Sequence, residues 1–501
     1  MVYELVAAVD LGSNSFRLQV GRVVDDQIYP LDSLKETVRL AAGLTAQKTL
    51  DGPSQLRALE ALARFGERLR GFDRGAVRAV ATNTLRVAKN APQFLAQAEA
   101  ALGFPIEIVA GREEARLIYL GVAHTLPDRR SRQLVVDIGG GSTEFIIGRD
   151  LSPIELESLY MGSVGFSLQY FPRGRVEKSG MKAAELAARQ ELQAIVRQYK
   201  KTGWEQAVGS SGTAKALADI LEMNGLSDNG ITRDGLERLR GLLLQAGEAG
   251  KLTLQGLRPD RIPVLPGGLA IMLAVFKEFG LERMMFSEGA LRLGVLYDLL
   301  GRYHHQDLRH ATVQQFVRRY QVDASQASRT AATARGFLRQ LLPPAAAAGQ
   351  AEAQVLEWAA LLHEIGISVA HTGYHKHSAY ILANADMPGF SKMDQARLSR
   401  IVLAHRGKLE RVQELMPDSA DWLLIFSLRL AVLLHRSRDD APLPAIGVKR
   451  NERGFVVAVD PLWLAASPLT ASALEEEGRQ WAGFGMEFRI KSGRGKSQAA
   501  A

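Results

Sequence analysis

Residues 8–22 read AVDLGSNSFRLQVGR and residues 135–149 read VVDIGGGSTEFIIGR, one pattern written twice. Aligned on Asp10 and Asp137, the copies match Gly12 with Gly139, Ser15 with Ser142, Gly21 with Gly148 and Arg22 with Arg149. An apolar run precedes each copy (LVAAV, QLVV) and another follows the small residues (FRLQV, EFIIG). This pattern predicts a strand, a tight turn of small residues and a second strand. Glycine lets such a turn adopt backbone angles that other residues resist, and brings bare N–H groups close to a ligand. Consecutive N–H groups there form a concave anion site, to which Ser and Thr hydroxyls add donors. An Asp at the end of the entering strand can hold a divalent cation against that anion. Two such turns facing each other would grip a phosphate chain from both sides.

The bulk properties bound what surrounds this pair. A chain of 501 residues, 47% hydrophobic and 23% charged, has the composition of a soluble globular protein of several domains. Its formal charge of +8 and pI near 9.5 suit an anionic partner without demanding one. With 0 cysteines, disulfides, thiolate catalysis and Cys–zinc sites are excluded. Met1 leads directly into a strand pattern, so no secretory leader is expected, and no apolar run reads as long enough to cross a bilayer. A cytoplasmic location is the expectation.

Outward from the first copy, Asp51–Phe72 shows apolar residues at helical spacing behind an Asp–Gly–Pro start. VRAVAT (77–82) reads as a buried strand, PIEIVAG (105–111) as a short strand, and REEARLIYLGVAHTL (112–126) as a helix. This order of strands and helices predicts an α/β domain. After the second copy, 181–200 reads as a helix, and WEQAVGSSGTAKALADIL (204–221) as strand, small-residue turn and helix. That third turn is Gly209-Ser210-Ser211-Gly212-Thr213, with a helix N-terminus aimed at it. A helix over 233–249, an apolar helix over 263–281 and the segment 284–300 complete the region. Beyond residue 300 the pattern changes. Nine of the ten His lie there, and helical periodicity dominates 306–436. Residues 343–353 (PPAAAAGQAEA) read as a low-complexity connector, 442–490 carry short β-like runs, and KSGRGKSQAAA reads as a disordered tail.

The chain resembles a known family at particular motifs. The repeated Asp-turn units and a third Gly-rich turn before a helix are similar to the superfamily of actin, heat-shock chaperones and sugar kinases. Within it, DLGSNSFRL, ATNTLR, GREEARLIYLGV, VVDIGGGSTEF, VGSSGTAKAL and SEGALRLGVLYD resemble the exopolyphosphatase and guanosine pentaphosphate phosphohydrolase family, in the same order. The P-loop pattern is absent, because Lys215 falls two residues too late. The resemblance implies an α/β chain in its long form: actin-like (ribonuclease H-like) domain I over 1–121, actin-like domain II over 122–302, a mainly helical HD-like domain over 303–440, and a small C-terminal α+β domain with its tail over 441–501.

The resemblance also assigns roles. Glu113 and Glu114 open a predicted helix, where acidic residues commonly offset the helix dipole. Hydrolysis of a phosphoanhydride needs a carboxylate to orient and deprotonate water, and the family's catalytic Glu matches Glu114. Asp137 and Glu144 match the family's acidic metal positions, with Asp10 as the equivalent in the first copy, so Mg²⁺ is the implied cofactor and a monovalent cation such as K⁺ a further candidate. The slot that holds Glu144 in the second copy holds Arg17 in the first, which suits metal on one side and guanidinium on the other. Arg17, Arg86 and Arg292 are candidate phosphate clamps, and the turns Gly12, Ser13, Asn14, Ser15; Gly139, Gly140, Gly141, Ser142, Thr143; and Gly209, Ser210, Ser211, Gly212, Thr213 candidate phosphate cradles. His363, His371, His375, His377 and His405 bring an HD metal centre to mind, but Glu364 follows His363 where such centres have Asp, so a degenerate site is expected. Lys376, Arg406, Lys408 and Arg411 could line a route for a long polyanion. Arg129, Arg130 and Arg132 read as a solvated charge run.

These features together predict a Mg²⁺-dependent exopolyphosphatase that removes terminal phosphates processively from inorganic polyphosphate. The same machinery would serve a guanosine pentaphosphate 5′-phosphohydrolase. A non-catalytic polyphosphate-binding regulator and an ATP-dependent sugar kinase are the more distant readings. The family's long form implies a homodimer. No nucleic-acid partner and no transmembrane segment are expected, and peripheral contact with a membrane stays open.

Overall fold

The computed structural model describes residues 3–24, 27–126, 130–303, 307–342, 349–409 and 421–492. Arg129, Arg411, residues 343–348 of the connector and the tail 493–501 lie outside the described residues. The backbone divides into two units, Met1–Asp307 and Leu308–Ala501.

The first unit holds two sheets. In the first, β1 (Leu5–Leu11), β2 (Phe16–Val24) and β3 (Gln27–Glu36) form an antiparallel meander, extended by β4 (Val77–Ala81) and β5 (Ile106–Ile108), in the order β3-β2-β1-β4-β5. The second repeats the plan with β6 (Gln133–Ile138), β7 (Thr143–Arg149), β8 (Ser152–Leu159), β9 (Gln206–Ser210), β10 (Ile231–Thr232) and β11 (Arg283–Phe286), in the order β10-β11-β9-β6-β7-β8. In both, the first strand pairs antiparallel with its hairpin partner and parallel with a later strand, β4 or β9. The sequence repeat is therefore a structural repeat: Asp10 faces Arg17 across one hairpin and Asp137 faces Glu144 across the other.

The repeat reaches further than the two quoted stretches. Both meanders shift register at the same aligned glycine, Gly21 or Gly148, and there each third strand presents a proline, Pro30 or Pro153. Proline lacks a ladder donor, so it is tolerated where a ladder is already interrupted. A side chain at Gly148 would put its Cβ 2.2 Å from the Tyr119 ring, and one at Gly21 2.5 Å from Ile28.

Helices clothe the sheets. The first lobe carries α1 (Gly52–Arg68), α2 (Asn83–Val87), α3 (Ala91–Leu102) and α4 (Gly111–Ala123). α1 starts where Asp51 accepts the Ser54 N–H at 2.8 Å, just before Pro53 in the first turn. The second lobe carries α5 (Ser163–Tyr170), α6 (Lys178–Thr202), α7 (Ser211–Met223), α8 (Arg233–Ala246), α9 (Leu265–Phe279) and α10 (Leu291–Tyr303). The span Ile262–Phe279 is long and apolar enough to cross a bilayer, contrary to the expectation from sequence, and 78% of it is buried in this unit as a core helix.

Although last in the unit, α10 packs on α4. A Cβ on Gly294 would lie 1.7 Å from the Leu117 carbonyl oxygen, and one on Gly121 2.2 Å from that of Ala290. These glycines let the two helices meet backbone to backbone. Residues of both helices share one core with Val6, Ala8 and Val80 of the first sheet and Val135, Ile146 and Val208 of the second.

A buried charge cluster fixes that contact. Asp298 of α10 accepts from Arg78 of β4 at 2.7 Å, from Arg116 of α4 at 2.5 Å and from Arg302 at 3.1 Å. Arg116 also donates to Glu113 at 2.8 Å through two nitrogens, and Arg78 to Glu107 at 3.1 Å. Three guanidinium groups thus meet three carboxylates, and their charges cancel.

The second unit contains α11 (Leu308–Arg319), α12 (Ala324–Leu341), α13 (Gly349–Leu362), α14 (Tyr374–Asn384), α15 (Lys392–Ala404) and α16 (Asp421–Leu434). It ends in a small sheet of β12 (Gly447–Asn451), β13 (Gly454–Val459) and β14 (Glu487–Ser492), with α17 (Pro461–Ala466) and α18 (Pro468–Gly483) between the last two strands. Arg429 of α16 reaches Glu477 of α18 at 2.5 and 2.8 Å, a buried fork joining the helices to the small sheet's connection.

Burial pushes the Asp298 carboxyl up, but Arg116, then Arg78 and Arg302, outweigh it and hold the group well below the usual carboxylate range. A depressed pKa stabilises the fold above the unfolded-state value, and that contribution fades as pH falls through the folded value. Asp298→Asn should therefore cost about 3–5 kcal/mol in urea denaturation at pH 7, by leaving buried guanidinium groups unpaired. The gap from wild type should narrow below about pH 4.

Candidate active site

Both repeat turns end an apolar strand with a carboxylate and continue in glycine and serine. The second is closed by its own backbone, the Gly139 N–H donating to the Ser142 carbonyl at 2.9 Å; the first is tight enough that a Cβ on Gly12 would sit 2.9 Å from the Ser15 oxygen. The turns lie against each other. A Cβ on Gly140 would be 3.0 Å from Ser13 Cβ, and one on Gly141 would be 3.1 Å from Ser13 Oγ and 2.8 Å from Asn83 Oδ1. Ser13 Oγ in turn accepts from Thr84 at 2.7 Å. The start of α5 braces the second turn, where the Ser163 N–H donates to the Gly139 carbonyl at 2.9 Å and the Val164 N–H to that of Gly140 at 3.0 Å.

Above this floor opens a cleft of about 170 Å³. The structure brings to it Asp10, Gly12, Ser13, Asn14, Ser15, Arg17, Glu114, Asp137, Gly139, Gly140, Gly141, Ser142, Glu144, Ser211, Gly212, Thr213 and Arg292. Four other residues singled out from sequence stand behind the lining. Thr143 is buried in β7 and donates to the Met161 carbonyl at 2.6 Å. Gly209 and Ser210 belong to β9, with Ser210 donating to the Gly289 carbonyl at 2.9 Å, so only the later part of GSSGT reaches the cleft. Arg86 donates to Glu114 at 3.0 Å and to the Val109 carbonyl at 2.8 Å, and so is bound to a carboxylate of the site. Where the third turn was expected, α7 begins directly at Ser211, whose φ of 83° is a left-handed angle few non-glycine residues adopt.

The cleft also takes residues the sequence reading passed over. Arg258 and Arg261 enter from the loop ahead of α9, and no periodicity marks that loop. Lys215, weighed from sequence only as too late for a P-loop, lines it too. It lies four residues after Ser211 on α7, and that helical spacing could have flagged it. Gly162 is not in the lining but is equally constrained, since a Cβ there would fall 2.4 Å from both the Gly140 oxygen and the Gly141 nitrogen.

Four carboxylates dominate the electrostatics. Burial pushes Glu114 up to about 7; Arg86 pulls against it, while Asp10 and Asp137 add to it. Asp137 is pushed up to about 6, first by burial and then by Asp10, with Ser210 opposing. Glu144 rises well above its usual range through burial and the charges of Glu114 and Asp137, although Ser158 donates to it at 2.8 Å. Burial raises Asp10 against the pull of Arg292 and Arg17, and its Oδ1 is buried without a hydrogen-bond partner. Arg292 is lowered to about 10 by burial and by Arg17. Among the described residues, no group of three or more His, Cys, Asp or Glu side chains is placed to hold a metal ion by itself.

The histidines of the second unit are arranged differently. His363 is fully buried, its Nδ1 2.6 Å from the Ala360 carbonyl oxygen, and its ring lies 5.1 Å from that of His405. Glu364 pairs with Arg438. Burial is the first cause that holds His363, His375 and His405 below the ordinary imidazole value.

Residues 19–303 match the model of the Ppx/GppA phosphatase family, and residues 308–478 match that family's domain III. Among solved structures, an exopolyphosphatase from Cytophaga hutchinsonii is 22% identical at a TM-score of 0.55, over 60% of this chain and 98% of its own. The Aquifex aeolicus member of the Ppx/GppA family is 25% identical at a TM-score of 0.51, over 60% of this chain and 99% of its own.

Because Gly162 leaves no space for a side chain beside the second turn, Gly162→Ala should displace Gly140 and Gly141. Displacements on the order of 1 Å in positioned groups cost about a hundredfold in turnover. Calorimetry should show pyrophosphate binding weakened by about tenfold or more, with the thermal midpoint moving far less than in Asp298→Asn.

Proposed function

Because the chain belongs to the Ppx/GppA phosphatase family, we propose that its cleft hydrolyses the terminal phosphate of inorganic polyphosphate and releases orthophosphate. The observation that carries this reading is the meeting of two anion-cradling turns with Glu114 in a single cleft. The turns and the guanidinium groups of Arg17 and Arg292 would hold successive phosphates. Glu114 would take a proton from water as its oxygen attacks the terminal phosphorus. The bond to the bridging oxygen then breaks, orthophosphate leaves, and the bridging oxygen stays on the shortened chain, which can advance without full release. Arg86 would hold Glu114 in place and keep it ionised.

The donor set suits Mg²⁺. It consists of buried carboxylate oxygens that raise one another's pKa, one of them an orphan on Asp10. Mg²⁺ takes one or two carboxylates and completes its shell with water and phosphate oxygens, so a dedicated cage is not required. Asp137 and Glu144, with Asp10 across the cleft, are the residues that would hold it. Bound there, it would offset charge on the phosphate oxygens.

Polyphosphate is favoured over guanosine pentaphosphate by the walls of the cleft. Among its described lining residues, Phe286 is the one aromatic ring, and the Lys215 ammonium already lies 5.0 Å from its centroid. A guanine base would have to displace that cation to stack on that face. By the same family reading, the helical region from residue 303 is HD-like and the protein a cytoplasmic homodimer.

Orthophosphate release from long-chain polyphosphate, guanosine pentaphosphate and ATP, with and without Mg²⁺, tests the reading. Glu114→Gln should lower turnover by about 10²–10⁴-fold, the range for a general base. In wild type, kcat/KM should fall as pH drops below about 7, where Glu114 takes up a proton. In Glu114→Gln the limb near 7 should be lost, and the residual activity should fall only at lower pH, as the remaining site carboxylates take up protons. Equal rates for wild type and variant would remove Glu114 from the mechanism.

A further inference from the structure

Beside the cleft, a cation and a carboxylate from different lobes meet in strongly cationic surroundings. Lys35, on β3, places its ammonium 2.6 Å from the Asp260 carboxylate in the loop ahead of α9. Both side chains are partly open to solvent, at 29% and 26%. Lys35 stands opposite Arg17 in the β2–β3 register. Arg17, Arg258 and Arg261 line the cleft itself. Burial raises Asp260, but Lys35, then Arg261 and Arg258, hold it below the usual carboxylate range. Lys35 is lowered by burial and by Arg261 and Arg17, against the pull of Asp260. Four cations therefore share one neighbourhood, and against them stand Asp260 and, facing Arg17 across the first hairpin, Asp10.

Such an excess of positive charge calls for more anion than the protein supplies. Arg261 shows where it is missing. The residue is 7% exposed, and its Nε is buried without a hydrogen-bond partner. The nearest Asp260 oxygen is 3.7 Å away, too far to satisfy it. A buried guanidinium left short of an acceptor costs free energy unless a ligand completes it. An ordinary surface ion pair would show none of this, because its two charges would already balance.

We propose that Lys35 and Asp260 mark a subsite for the phosphates beyond the scissile one, in which Asp260 occupies the place of a phosphate until the chain displaces it. Lys35 is then a ligand for the distal part of a linear polyphosphate, and Asp260 is its internal competitor. The exchange is favourable because a phosphate offers several acceptor oxygens to the same cations, whereas Asp260 offers two. Because the pair joins β3 to the loop ahead of α9, its release on binding would couple the two lobes to the length of the bound chain. The identity of the ligand rests on the function proposed above. The charge imbalance does not.

Two opposite signs test it. Calorimetry on the full chain, with tripolyphosphate as the probe, compares wild type with Lys35→Ala, Lys35→Arg and Asp260→Asn. Lys35→Ala should weaken binding about tenfold, the scale of one charge-assisted contact. Lys35→Arg should restore most of it. Asp260→Asn should tighten binding about threefold or more, because it removes the competitor. With long-chain polyphosphate, Lys35→Ala should raise KM by more than it lowers kcat. If the pair only braces the lobes, Asp260→Asn will weaken binding as Lys35→Ala does, and the proposal falls. Unchanged binding in Lys35→Ala overturns it equally. Should wild type bind tripolyphosphate with this pattern yet release no orthophosphate, the proposed function fails and the subsite stands.

Discussion

Four carboxylates, Asp10, Glu114, Asp137 and Glu144, are buried around one cleft and disfavour one another's charge. That repulsion is the constraint to which the first unit is built. Holding Glu114 ionised at neutral pH is opposed by a free energy on the order of 3 kcal/mol. Nothing in a hairpin turn alone could sustain it. The carboxylates stay together because each ends or opens an element anchored elsewhere: β1 and β6 in their sheets, and α4 in the core it shares with α10. The same field gives the site its chemistry. A carboxylate near neutrality is poised to accept a proton, and crowded carboxylates attract a cation.

The consecutive acids Glu113 and Glu114 show how the anchoring works. Neighbouring positions on a helix point about 100° apart, so one face of α4 cannot hold both. Glu113 turns inward to Arg116, which also binds Asp298 of α10. Glu114 turns to Arg86 and the cleft. The buried cluster thus fixes the rotation of α4 about its axis, and with it the direction of Glu114. It also fixes α10, whose first turn carries Arg292. Gly121 and Gly294 let the helices approach until these ion pairs close, because any side chain there would hold the backbones apart.

The repeat was legible because it is local: an Asp, a small-residue turn and flanking apolar runs lie within fifteen residues. Its third strands were not. QIYPLDSLKE and SPIELESL contain a proline and alternate charged residues, as edge strands do, so neither shows an apolar run. In the site, residues on the repeated turns could be named from sequence, since the turns carry their own chemistry. Arg86 could be named but not its partner, because its pairing with Glu114 joins residues 28 apart. Arg258, Arg261 and the Lys35–Asp260 pair were invisible for the same reason. They depend on a loop of one lobe meeting a strand of the other. Asp298 looks like an ordinary helix carboxylate until Arg78, 220 residues away, is folded against it.

The two lobes repeat a backbone but not a function, and the difference rests on one slot. In each hairpin the residue across from the strand-ending Asp is fixed by register, and it is Arg17 in one lobe and Glu144 in the other. With Arg17, the Asp10 carboxylate is partly neutralised, and the lobe presents positive charge to an anion. With Glu144, the Asp137 side gains negative charge and raises its own affinity for a cation and for protons. A duplicated fold that kept the same residue in both slots would repel either an anion or a cation from both sides at once. Opposite choices at a single register position let one cleft attract an anion and a cation together. Placing Glu114 between those lobes on a separate helix keeps the proposed base out of both roles.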